Sequence, residues 1–102
     1  MIIDVLEYHS HTTEAMLGLD NDMIVQVGPA TRPQDPLPLD QLRAFTAPRG
    51  TIITLLPGVW HHGPFSPNNA SLHILVCLPE RTYANDCVVV ELRDSERVRI
   101  GL

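Results

Sequence analysis

Two stretches of this chain hold the residue types that do acid-base or metal chemistry: His9, His11 and Glu14 in EYHSHTTEA, and His61 and His62 in GVWHHGPF. An imidazole titrates near neutrality and can offer one ring nitrogen to a metal, while a carboxylate accepts a proton or supplies an oxygen ligand. If residues 7–11 are extended, side chains two apart share a face, so His9 and His11 point the same way and Glu14 follows from the start of the next strand. His9, His11, Glu14 and His61 then form a candidate metal site, with His9, Glu14 and His61 as candidate catalytic groups. The same alternation separates the adjacent histidines. One faces inward, taken here as His61, and His62 packs outward beside Trp60.

The remaining histidine, His73, lies in SLHILVC and reads as a core residue with one satisfied hydrogen bond, with Cys77 on its face. Cys77 and Cys87 form no C-x-x-C pair, and the chain has no secretory marks, so both are expected as free thiols. No G-x-S-x-G elbow is present, which leaves nucleophilic hydrolysis without a starting point. All seven basic residues are arginine, which excludes Schiff-base lysine chemistry and a P-loop and assigns any anion recognition to guanidinium groups. The net charge of −5 gives nucleic acid or an acidic membrane nothing to grip.

These groups need a scaffold, and the pattern around them is that of short strands. Alternating or β-branched runs at Ile2–Glu7, Ala15–Leu19, Met23–Val27, Thr51–Leu55, Leu72–Leu78, Cys87–Leu92 and Arg97–Ile100 are bounded by turn residues. LDND, Leu19 to Asp22, predicts a tight hairpin. GPATRPQDPLP, Gly28 to Pro38, has four prolines and predicts a surface loop. Leu39–Phe45 carries apolar residues at helical spacing and predicts one short connector helix. With 102 residues the chain is expected to be a single domain, residues 1–102, folded as an all-β sandwich or small barrel of the jelly-roll kind. Its apolar runs are too short to span a bilayer, and the N-terminus lacks a signal-peptide pattern, so a cytoplasmic location is expected. Exposed strand edges and an apolar sheet face predict a homodimer.

Taken together, these strings resemble the cupin superfamily. Its first motif, H-x-H followed by Glu, is similar to HSHTTE at His9 to Glu14, with one residue fewer before the Glu. Its second, ending G-x-x-H, is similar to GTIITLLPGVWH at Gly50 to His61. Within that superfamily the chain resembles a short, divergent ureidoglycolate lyase, formerly called ureidoglycolate hydrolase. The resemblance covers nearly all of residues 7–92 and rests on EYHSHTTEAM, LRAF at Leu42 to Phe45, GVWHHGPF, and PERTYANDCVVVEL. The chain differs from that family's pattern at Glu14, where Gln is common, at His11, where the family has no ligand, and at Thr82 and Tyr83, where it has glycines. Members also usually carry an extra N-terminal region ahead of this stretch.

The resemblance implies a cupin-type jelly-roll barrel, or double-stranded β-helix, that cleaves ureidoglycolate to glyoxylate and urea in allantoin and purine catabolism. It implies a small carboxylate substrate, with His61 or Glu14 as base, His9 or a metal ion stabilising the developing alkoxide, and Arg81, Arg43 and His62 as substrate-binding residues. Three imidazoles and a carboxylate would suit a divalent ion such as Ni, Zn, Mn or Fe. Two other readings stay open: a metal-dependent cupin enzyme of other specificity, and a non-catalytic cupin that binds a small carboxylate.

Overall fold

The computed structural model describes residues 1–101. Ten strands follow one another as β1 (Ile2–Ile3), β2 (Val5–Tyr8), β3 (Glu14–Gly18), β4 (Met23–Gly28), β5 (Arg43–Ala47), β6 (Ile52–Leu55), β7 (Trp60–Phe65), β8 (Ile74–Cys77), β9 (Val88–Glu91) and β10 (Val98–Arg99). A single turn of α-helix, α1 (Thr82–Asn85), precedes β9. The strands pair antiparallel in a five-stranded sheet ordered β5-β4-β7-β2-β9, a three-stranded sheet ordered β6-β3-β8, and a two-stranded ribbon of β1 and β10. This is the all-β, small-barrel architecture expected from the sequence. Among the described residues no helix is long and apolar enough to cross a membrane.

Period-two alternation decides what each face buries. In β3, Glu14, Met16 and Gly18 are buried and Ala15 and Leu17 are half-buried. Met16 meets Met23 and Val25 of β4, Ala47 of β5 and Leu55 of β6, so the two larger sheets share this core. On the opposite face of the five-stranded sheet a second cluster gathers Ile3, Leu6, Trp60 and Leu92. Burying each large apolar side chain contributes roughly 1.5–3 kcal/mol relative to exposure. With a core on both sides, β4 is buried at nearly every position, which is why MIVQV does not alternate in polarity.

The proline-rich segment runs over the second cluster. Thr31 accepts a hydrogen bond from Trp60 Nε1 at 2.9 Å, Tyr8 meets the indole edge-on at 4.6 Å, and Leu37 and Leu39 pack beside them. Gly28 lies beneath this cover, where a Cβ would stand 2.8 Å from Leu42 Cδ2.

Three sequence expectations need correction. The connector helix over Leu39–Phe45 is a single 3-10 turn, Leu39–Gln41, followed by β5. Arg43–Ala47 pairs with β4 through five residues, and the ladder bonds offered by β4 outweigh a two-turn helical preference. LDND does not join a hairpin: β3 and β4 belong to different sheets, and the turn carries the chain from one to the other. Asn21 Oδ1 accepts from Asp22 N at 2.8 Å, and Asp22 Oδ1 accepts from Arg49 N at 2.8 Å. His73 is not in the core; its side chain is 74% exposed on the approach to β8 and bonds Asp20 at 2.6 Å.

Candidate functional site

Three strands of the two main sheets deliver four polar side chains to one point. Glu7 of β2 lies directly opposite His61 of β7, and the pair faces the interior. His9 follows two residues after Glu7, just beyond the end of β2. Glu14 opens β3 from the facing sheet. Gly58 adopts φ 83°, a left-handed conformation that favours glycine, and its N–H donates to the His9 carbonyl at 2.7 Å. That turn brings β7 alongside β2 and ties the two halves of the site together.

His61 Nε2 lies 3.4 Å from Glu7 Oε1 and 3.6 Å from Glu14 Oε2, and His9 Nε2 lies 3.6 Å from Glu14 Oε1. The imidazole centroids are 5.3 Å apart. Both imidazoles and Glu14 are buried, and Glu7 is the most open member, at 24% side-chain exposure.

The other ring nitrogens are anchored. His9 Nδ1 donates to the Asp86 carbonyl at 2.8 Å, and His61 Nδ1 donates to the Val59 carbonyl at 2.9 Å. A carbonyl oxygen can only accept, so each Nδ1 carries hydrogen and it is Nε2 of each ring that is turned into the cluster. Both Nε2 atoms are buried without a hydrogen-bond partner. Two ring nitrogens and two carboxylates that converge in this way could share a cation.

The donors fit a divalent metal. Ligand atoms of Glu7, His9 and His61 all lie within 4.8 Å of one another, and Glu14 adds a fourth group. Ligands at about 2.1 Å from a tetrahedral ion stand roughly 3.4 Å from each other, close to the separations found here. Anchoring the second nitrogen of each imidazole on a carbonyl is also the way metal-binding histidines are oriented.

Of the sequence-predicted residues, His9, Glu14 and His61 come together and His11 does not. The chain bends after Tyr8, and the His11 side chain is 87% exposed. The Asp86 carboxylate causes the bend by accepting from the backbone N–H groups of Ser10 at 2.7 Å and His11 at 2.9 Å. Burial opposes ionisation there, but the N–H groups of His11 and Ser10 and the His11 ring hold the Asp86 carboxyl below its ordinary value.

His62 faces away from the cluster, with Nε2 3.2 Å from Asp4 Oδ1 and its ring stacked on Phe65 at 4.8 Å. A bulge between Ile24 and Gln26 sets Phe65 on that face by shifting the register of β7 against β4. Arg43 is exposed at the start of β5 and bonds the Leu42 carbonyl; through Val27 of β4 it lies in register with His61 but two strands away from it. Arg81 is 75% exposed and lines a cleft of about 460 Å³ with Val76, Leu78, Pro79 and Tyr83. The cleft adjoins the cluster through Tyr83, whose ring meets His9 edge-on at 6.0 Å.

Glu7, Tyr83, Asp86 and Cys87 are the residues that sequence reasoning missed. Glu7 had a signal: in a strand, residues 7 and 9 share a face, and the productive string is E-x-H, displaced two residues from H-x-H. The other three come from 74 or more residues further along than His9. Partial burial, then the charges of Glu14 and Glu7, push the Tyr83 phenol above its ordinary value, so it keeps its proton beside the cluster. Cys87 Sγ lies 3.2 Å from Glu7 Oε2. Burial first, and then that hydrogen bond and the Glu7 charge, push the thiol up to about 12.

Comparison with known proteins identifies the family. The family model described as ureidoglycolate lyase matches residues 1–99. No curated protein sequence matches the chain. With the match spanning nearly every residue, β1 through β10, the chain belongs to the ureidoglycolate lyase family.

Proposed function

We propose that the chain cleaves ureidoglycolate to glyoxylate and urea at the His9, His61, Glu7 and Glu14 cluster. The observation that carries this reading is the pair of buried, unpartnered Nε2 atoms aimed at two carboxylates. The reaction breaks a carbon–nitrogen bond at a carbon that also bears a hydroxyl. As the carbonyl forms, the hydroxyl proton must leave and the departing urea nitrogen must gain one.

The Glu14 carboxylate is the group placed to take the hydroxyl proton when an ion is held, because one of its oxygens can hold the ion while the other accepts; His61 Nε2, with a single lone pair, can take that proton only in the metal-free site. The proton then has a short path, through the Glu14 oxygens that face both imidazoles, to the nitrogen side. Tyr83 supplies a phenol at the mouth, and Arg81, in the adjoining cleft, is suited to take the substrate carboxylate in a bidentate grip. His9, His61, Glu7 and Glu14 would hold a divalent ion, which when bound supplies Lewis-acid stabilisation of negative charge on the substrate oxygen.

Metal content, measured on the purified protein beside an assay of glyoxylate release from ureidoglycolate, tests the reading. Stoichiometric first-row metal with turnover supports it; turnover that is unchanged by removing the metal would sink the metal part. A metal enzyme of other specificity is the second reading. Glu14, with its two close imidazoles, favours it, while His11 no longer does.

The homodimer is part of the proposal. The outer face of the three-stranded sheet presents Ala15, Leu17, Ile52, Leu75 and Cys77, with Ile52 67% and Leu75 49% exposed. No charged side chain stands among them. In a chain of net charge −5 this is where two copies approach without repulsion. A sedimentation experiment that finds monomer at micromolar concentration would refute pairing.

A further inference from the structure

We propose that Cys87 is a positioning residue, whose thiol holds the Glu7 carboxylate so that its second oxygen faces His61 and the shared cation. The inference deepens the reading of the cluster given above and rests on it.

Glu7 needs holding more than its neighbours do. Glu14 has a buried side chain, 7% exposed, whereas that of Glu7 is 24% exposed and is free to turn toward water. Fixing a long carboxylate side chain costs rotamer entropy, which some contact has to offset. Among the described residues, the Cys87 thiol is the one hydrogen-bond donor found on the Glu7 carboxylate, at 3.2 Å from Oε2. The other oxygen, Oε1, is the one that lies 3.4 Å from His61 Nε2. The two oxygens of one carboxylate thus have separate roles.

The placement follows from strand register. β2 and β9 run antiparallel with Glu7 opposite Val89 and Tyr8 opposite Val88. One step further, Cys87 falls opposite His9 and on the face that Glu7 and His9 share. The residue before it, Asp86, anchors His9 through its carbonyl at 2.8 Å. Two consecutive residues therefore orient one imidazole and one carboxylate of the same cluster. A thiol suits this position because it donates weakly and does not bring a charge beside a prospective cation. Residues that orient metal ligands in this way typically change metal affinity about 10- to 100-fold when removed.

The test uses the full-length chain and the variants C87S, C87A and E7Q, with melting temperature as the folding control. Three readouts are taken: the infrared S–H stretching band, calorimetric titration with Zn²⁺ and with Mn²⁺, and glyoxylate release. A hydrogen bond from Cys87 to Glu7 gives a second S–H band, shifted from that of exposed Cys77. The band disappears in C87S and moves toward the Cys77 position in E7Q. C87A should bind both ions at least about tenfold more weakly, and C87S, which retains a donor, should stay within about threefold of wild type.

An S–H band unmoved by E7Q would overturn the proposal, as would C87A and C87S binding metal equally well. A wild-type chain that takes up neither ion would overturn it together with the metal reading. A clear difference between Ala and Ser in metal affinity, with no glyoxylate released by any form, would keep the positioning role and remove ureidoglycolate as the substrate.

Discussion

His9 Nδ1 donates to the backbone carbonyl of Asp86 at 2.8 Å, across 77 residues of chain. The bond fixes the ring so that its second nitrogen meets Glu14 at 3.6 Å. The Asp86 carboxylate meanwhile turns the next residues away, so His9 and His11, two apart in sequence, have opposite surroundings.

That contrast gives the first prediction. His9→Ala should lower glyoxylate release by about 10²- to 10⁴-fold, the usual range for removing a positioned acid-base group, and should abolish tight Zn²⁺ binding. His11→Ala should leave both within about twofold, since its ring touches only the outside of Asp86. Side-by-side kinetics and calorimetry decide it; equal losses in the two variants would mean that His11 enters the site.

Glu14→Gln installs the residue that the family resemblance leads one to expect at this position. The amide is nearly isosteric, so the melting temperature should change by only a few degrees. Metal affinity should fall about 10- to 100-fold, because a charged oxygen between two imidazoles is replaced by a neutral one. Retention of full activity without metal would show that this chain works as a metal-free lyase.

The two cysteines should differ in reactivity. Cys77 is exposed on β8, whereas Cys87 is partly buried with its thiol pushed up to about 12. The thiolate is the reactive form, so at pH 8, in folded protein diluted until the copies separate and the Cys77 face is uncovered, a disulfide reagent such as dithiobis-nitrobenzoate should release one equivalent rapidly and a second only after denaturation. Rapid release of two equivalents would contradict the Cys87 contact with Glu7.

Asp20 provides a pH test remote from the site. The backbone and side-chain hydrogen bonds from His73 hold its carboxyl below the ordinary value. A group with a lowered folded pKa stabilises the fold above its unfolded pKa, about 3.9 for Asp, and that contribution disappears as the pH falls through the folded value. Asp20→Asn should therefore melt a few degrees below wild type at pH 7, and the two melting curves should converge in acid. A difference that persists below pH 2 would assign the effect to packing.

The sequence made some of this legible, for physical reasons. Strands β3 and β6 could be read because one face of each is buried and the other is not. Alternation showed that His61 and His62 face opposite ways, but not which of them turns inward; the pairing of Glu7 with His61 decides that. By contrast, RAFTA at β5 carries little strand preference of its own and is a strand because β4 has an edge to pair. Glu7 was visible in principle through its two-residue spacing from His9. Asp86 and Cys87 were not, because their roles arise from pairing across almost the whole chain.

The position of β2 between β7 and β9 also sets a schedule. As the chain leaves the ribosome, Glu7, His9 and Glu14 emerge first and His61 much later, and the segment that orients His9 and Glu7 comes last. Loop closure over such separations is slow compared with forming local turns. During synthesis the chemistry-bearing groups are therefore present but unassembled, and the finished site becomes a report that the last strands have docked.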